Sequence, residues 1–139
     1  MNRTLLTLAI TVLSGSLFLS NPTSAQFVPS SKKTAHVRII KGPELELARE
    51  NLTIITWTSN NPGGSPEHFG VVHYSTDPKN LSQTAKSHIR LNPTHSYTVF
   101  RVRIEDLRSK TTYYYTVDSM DPRGTTDGVN SPVKTFTTQ

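Results

Sequence analysis

Leu107-Arg108-Ser109-Lys110-Thr111-Thr112-Tyr113-Tyr114-Tyr115-Thr116-Val117 is the stretch on which the fold turns. From Thr112 onward it consists of aromatic and β-branched residues, the types that suit a pleated, half-buried surface. Successive side chains of a strand point to opposite faces, so Tyr113, Tyr115 and Val117 share one face while Tyr114 and Thr116 take the other. Three large groups on one face need an apolar surface to pack against, and neighbouring runs supply it. Thr53, Ile55 and Trp57 share a face, as do Val72 and Tyr74; Phe100, Val102 and Ile104 point one way while Val99, Arg101 and Arg103 point the other, toward water.

Outward from that stretch, runs rich in Val, Ile, Thr, Tyr and Phe alternate with clusters of Pro, Gly, Asn, Asp and Ser. The pattern predicts strands at 36–41, 52–59, 69–76, 84–91, 97–104, 112–119 and 132–138, and no stretch sustains the 3.6-residue apolar period of a long helix. Gly42-Pro43 ends the first run, Asn61-Pro62-Gly63-Gly64 follows the second, Asp77-Pro78 closes the third, and Asp121-Pro122 with Asp127-Gly128 divides the last connection. Seven short strands separated by turns imply an all-β fold of two antiparallel sheets face to face. The core predicted for it is Ile55, Trp57, Tyr74, Phe100, Val102, Leu107, Tyr113, Tyr115, Val117 and Phe136.

The N-terminus has a different character. Arg3, an apolar stretch at 5–19 and the small residues Thr23-Ser24-Ala25 have the layout of a secretory signal, and Thr7, Thr11, Ser14, Gly15 and Ser16 dilute the stretch below what a membrane span needs. The predicted organisation is a signal peptide at 1–25, a flexible Ser, Pro and Lys rich leader at 26–34, and one domain at 35–139. Removing 25 of 139 residues leaves 114, and since Arg3 is the only charged residue lost, 14 basic residues remain against 10 acidic. The basic residues are spread among Asp and Glu rather than gathered into a patch, which argues against nucleic acid as a partner. With no cysteine, disulfides, thiolate chemistry and cysteine metal sites are ruled out, and stability has to come from packing.

The same residues carry a family resemblance. Leu107 to Val117 is similar to the Leu-x-Pro-x-Thr-x-Tyr-x-Tyr-x-Val signature of fibronectin type III domains, with Ser109 standing where that family has Pro; the resemblance implies that Tyr113 makes the tyrosine corner. Ile55-Thr56-Trp57, Val72-His73-Tyr74 and Phe136-Thr137-Thr138 resemble the second, third and last strands of the same family. Within it, the run from Tyr74-Ser75-Thr76-Asp77-Pro78 through Leu81 to Ala85 resembles the N-terminal sandwich of purple acid phosphatases. The resemblance implies a seven-stranded immunoglobulin-like β-sandwich. It implies no phosphatase activity, because the Gly-Asp and Gly-Asn-His-Asp/Glu motifs of the two-metal domain do not occur here.

Nor do the residues themselves form a reaction centre. His36, His68, His73, His88 and His95 lack metal-ligand spacing and read as scattered surface histidines; Glu44 and Glu46, like Glu105-Asp106, read as solvated edge or turn positions. The expectation is no catalytic residue, no metal and no cofactor. Binding is expected instead where loops gather on a rigid frame. Connections 60–68 and 119–131 should meet at one end of the sandwich, with Asn61, His68, Met120, Arg123 and Asp127 as candidate contacts. A second candidate is the outer face bearing Arg101, Arg103 and Arg38 beside Ile54 and Val99. The expected function is thus a secreted, periplasmic or extracellular, non-catalytic binding or adhesion module for a protein or surface glycan, without a membrane span in its mature form. The alternative is an accessory domain working with a separate metallophosphoesterase chain.

Overall fold

The computed structural model describes residues 32–90 and 95–139. The expected signal segment, the leader up to residue 31 and Leu91 lie outside the described residues. Seven strands follow in order: β1 (Ile39–Arg49), β2 (Leu52–Asn60), β3 (Glu67–Ser75), β4 (Gln83–Arg90), β5 (Tyr97–Ile104), β6 (Thr112–Met120) and β7 (Lys134–Thr137). They form a three-stranded sheet β1-β2-β5 and a four-stranded sheet β4-β3-β6-β7, every pair antiparallel. These are the two antiparallel sheets that the strand pattern implied, in the seven-stranded immunoglobulin-like arrangement that the family resemblance implied. Among the described residues no helix is long and apolar enough to cross a membrane.

The two sheets close around Ile55, Trp57, Val72, Phe100, Val102, Ile104, Leu107, Tyr113, Tyr115, Val117 and Phe136. Trp57 stacks on Phe100 at a centroid separation of 5.2 Å, and Phe136 packs on Tyr113 at 5.5 Å and on Tyr115 at 5.8 Å. Tyr74 belongs to the rim rather than the centre: it is half-buried and meets Tyr113 edge-on at 6.2 Å. At Gly70 the two sheets approach closely, since a β-carbon there would sit 2.9 Å from Phe100 and 3.1 Å from the Trp57 ring. The Trp57 Nε1 hydrogen is buried without a partner, a desolvation penalty that the burial of the large ring outweighs. At the far end of β6 the Tyr113 hydroxyl accepts the Arg108 N–H at 3.0 Å, closing the tyrosine corner.

Three expectations need correction. The first strand does not stop at Gly42-Pro43; it continues to Arg49 through a cis Gly42-Pro43 peptide, with register shifts against β2 between Ile39 and Lys41, between Lys41 and Glu44 and between Leu45 and Leu47. Gly42 adopts φ +84°, and β1 is an edge strand, so the missing Pro N–H removes no bond the sheet requires. The last strand is shorter than 132–138, because Ser131 takes the place of a regular ladder: its N–H donates to the Val117 carbonyl at 3.1 Å and its hydroxyl accepts the Val117 N–H at 2.9 Å. Ile54 does neighbour Arg103, as expected, but it leaves little apolar surface for a partner on that face. It is buried on the outer face between Leu47 and Arg103, its register partners on β1 and β5.

Candidate binding site at one end of the sandwich

The connections 61–66 and 121–133 meet at the same end, and the segment before β1 joins them. Asn61 ties its own loop to the turn before β5: its N–H reaches the Ser96 carbonyl at 3.0 Å, its side-chain amide donates to the His95 carbonyl at 2.9 Å, and its Oδ1 accepts the Gly63 N–H at 3.1 Å. The flanking Asn60 fixes the incoming segment, donating to the His36 carbonyl and accepting the Arg38 N–H, both at 2.8 Å.

His68 and Asp127 do meet, but they bind each other rather than presenting side chains to solvent. His68 is 1% exposed, so it is no surface histidine; its Nδ1 lies 2.6 Å from Asp127 Oδ2 and its Nε2 3.1 Å from the Gly63 carbonyl. Both ring nitrogens are thus occupied, one by the carboxylate and the other by the backbone carbonyl. The Ser119 hydroxyl donates to the same Oδ2 at 2.9 Å, and the Lys33 ammonium stands 3.1 Å from Oδ1. Burial alone would raise the Asp127 carboxyl; the hydrogen bond and charge of His68, with Ser119 and Lys33, more than offset it and hold it below the ordinary range.

Histidine, aspartate and serine in one cluster invite comparison with nucleophilic catalysis, and the geometry answers it. Ser119 donates to the carboxylate and not to the imidazole, and neither imidazole nitrogen is left to take the serine proton. The cluster is a knot joining Lys33, β3, β6 and the last connection. Among the described residues no group of three or more His, Asp or Glu side chains is placed to hold a metal ion.

The last connection is wired within itself. Asp121, buried, accepts the N–H groups of Arg123 at 2.9 Å and Thr125 at 3.0 Å, and the exposed Arg123 guanidinium approaches its other oxygen at 3.2 Å. Against desolvation, those contacts keep the Asp121 carboxyl below its usual range. Asp118 is shifted the other way, burial raising it against the hydrogen bonds of Thr126 and the Ser119 N–H and the charge of His73. Met120 is half-buried, its backbone bridged to Thr126. Of the five candidate contacts, Arg123 alone is fully exposed. Beside this end lies a groove of about 390 Å³ between Val37, Arg38 and Ile39 on one wall and residues 128–132 on the other.

The second candidate face is not a bare cationic stripe. Arg101 is held by Glu46 through a two-pronged contact at 2.7 and 2.5 Å, and Arg103 by Glu105 at 3.0 Å. Arg38 lies apart from both, on the wall of the groove. Lys33 and Ser119 carry no sequence signal that marks them as site residues. Lys33, placed in the leader by its composition, meets a partner 94 positions away, and the Lys33-Thr34 end of that leader is held against the loops.

A family model described as the purple acid phosphatase N-terminal domain matches residues 41–138. No curated protein matches. Among solved structures, the chain is similar to the sensor domain of the anti-sigma factor RsgI4 of Pseudobacteroides cellulosolvens, at 18% identity and a TM-score of 0.48, covering 74% of this chain and 87% of that one. A solution structure of that sensor domain is similar at 16% identity and a TM-score of 0.48, covering 74% of each chain. The fn3 domain of the human collagen alpha-1(XX) chain is similar at 19% identity and a TM-score of 0.33, covering 78% of this chain and 90% of that one.

Proposed function

The chain belongs to the purple acid phosphatase N-terminal domain family, and from that premise we propose that it is a non-catalytic binding or adhesion module working outside the cytoplasm, with a protein or surface glycan as its partner. The observation that carries this reading is the state of the loop end. Asp121 fixes the last connection on itself, Asp127 ties that connection to β3 and β6, and Asn61 ties the β2–β3 connection to the turn before β5, so the end is pre-ordered, and pre-ordered loops bind with less entropy to lose. Export is supported by the signal-like layout of residues 3–25.

The test is capture from cell-surface and secreted fractions by the full chain, set against a variant with Arg123, Thr125 and Asn130 all changed to Ala. A discrete partner held by the first and lost by the second supports the reading. Equal capture by both removes the loop end as the binding surface, and hydrolase activity that persists through metal chelation and re-purification overturns the non-catalytic role.

A second reading rests on the family itself, whose name places its members beside a phosphatase: the chain serves a metallophosphoesterase supplied by a separate polypeptide. Co-purification with such an enzyme favours this reading, and its repeated absence counts against it.

A further inference from the structure

The loop end grips a piece of its own chain much as a receptor grips a peptide. Lys33 and Thr34 lie outside the strands and are held by different groups. The Thr34 N–H donates to the Pro62 carbonyl at 2.7 Å, and its hydroxyl donates to the Asn61 carbonyl at 2.6 Å. Lys33 runs along Gly64, where an added β-carbon would stand 3.3 Å from Lys33 Cβ and 3.5 Å from its Cα, so the bare backbone of Gly64 leaves the room the segment occupies. The Lys33 ammonium then reaches Asp127 Oδ1, and among the described residues no other donor bonds that oxygen.

These features divide into a frame and a vacancy-specific contact. The Asp127 side chain is withdrawn from solvent, and His68 and Ser119 hold its other oxygen in place without help from Lys33. Oδ1 therefore keeps its position whichever group approaches it. A buried carboxylate oxygen left to one donor favours a cation strongly and penalises any occupant that leaves it bare. The carbonyls of Asn61 and Pro62 add a demand on the following residue, which has to bring a main-chain N–H and a hydroxyl.

Resting on the reading of the loop end as the binding surface, we propose that residues 61–64 and Asp127 form a recognition slot for a lysine-bearing peptide of the pattern Lys followed by Thr or Ser. Lys33-Thr34 fills the slot in cis and acts as its internal competitor. A lysine segment of a partner protein enters when the chain's own segment lifts away, and the complementarity between an ammonium and the buried carboxylate selects that partner.

The experiment uses the full chain carrying Lys33→Glu and Thr34→Pro, which removes the cation, the N–H and the hydroxyl of the internal occupant. The probe is a synthetic peptide copying residues 32–37, followed through the amide resonances of Gly63, Gly64 and Gly128. The expected result is a saturable shift that weakens about tenfold or more when the peptide carries Met in place of Lys33, and that weakens likewise in the wild-type chain, whose slot is filled. A folded double variant that shows no saturable shift, or that binds the Met peptide equally well, overturns the slot. Should the double variant not fold, Lys33→Met in the full chain takes the same titration with the same two outcomes. If the peptide fails while the wild-type chain still captures a partner that the Arg123, Thr125 and Asn130 variant loses, the slot falls and the loop-end reading stands.

Discussion

Tyr113 does two jobs with one side chain, its ring stacked on Phe136 and its hydroxyl accepting the Arg108 N–H. Tyr113→Phe keeps the ring and strips the acceptor from a half-buried N–H, so it should lower stability by roughly 1–3 kcal/mol. Equal urea midpoints for variant and wild type would remove the corner bond from the account of stability. Gly70 presents the opposite problem, an absent side chain that the packing depends on. Gly70→Ala forces a methyl group against Phe100 and Trp57, and overpacking of that kind should cost about 1–3 kcal/mol, with a change in Trp57 fluorescence reporting the displaced ring. The role of Tyr113 was legible in the sequence because Leu107 and the alternating tyrosines lie close together in the chain. The role of Gly70 was not, since its neighbours Trp57 and Phe100 come from two other strands.

At the scale of the element, β1 shows how an edge strand is protected. Its bulges and Pro43 interrupt the row of donors that an incoming strand would use, and the Lys134 ammonium donates to the Pro43 carbonyl at 2.6 Å. Across β2, the Glu46–Arg101 pair spans the outer face of the sheet, but both side chains are about half exposed. Water screens such a pair. Glu46→Gln should therefore leave the urea midpoint indistinguishable from wild type, even though the Arg101 bond lowers the Glu46 carboxyl; a clear fall in the midpoint would show that the pair pins β1 to β5. Sequence reasoning ended this strand at Gly42-Pro43 because that dipeptide is a turn signal in isolation. In the fold, the ladder with β2 resumes beyond it and carries the chain through.

At the scale of the whole molecule, the knot around Asp127 joins the segment before β1, strands β3 and β6 and the last connection. Its pH dependence follows from the lowered Asp127 carboxyl. A carboxyl that titrates lower in the folded chain than in the unfolded chain, where the value is near 3.9, contributes stability in full above that value and loses it as pH falls through the folded value. Asp127→Asn should be less stable than wild type at pH 7, at the low end of the roughly 3–5 kcal/mol seen when one partner of a buried pair is removed, because the amide keeps a hydrogen-bonding oxygen. The gap should narrow as pH falls below about 3.9 and through the lower folded value. A gap of constant size from pH 7 to pH 2, measured by thermal melts, would show that shape rather than charge holds the knot.

The sequence by itself determined the class of fold, since period-two alternation depends only on how a strand presents its side chains, and it put Trp57, Phe100 and the tyrosines on faces that had to meet. It also brought the two long connections to one end. Only the tertiary structure decided what happens there. Lys33, His68 and the nearby pair Ser119 and Asp127 come from three separate stretches of chain, and they become a bonded cluster because packing removes water from between them. Burial and partnership of polar groups depend on distances across the fold, which no local pattern of residues encodes.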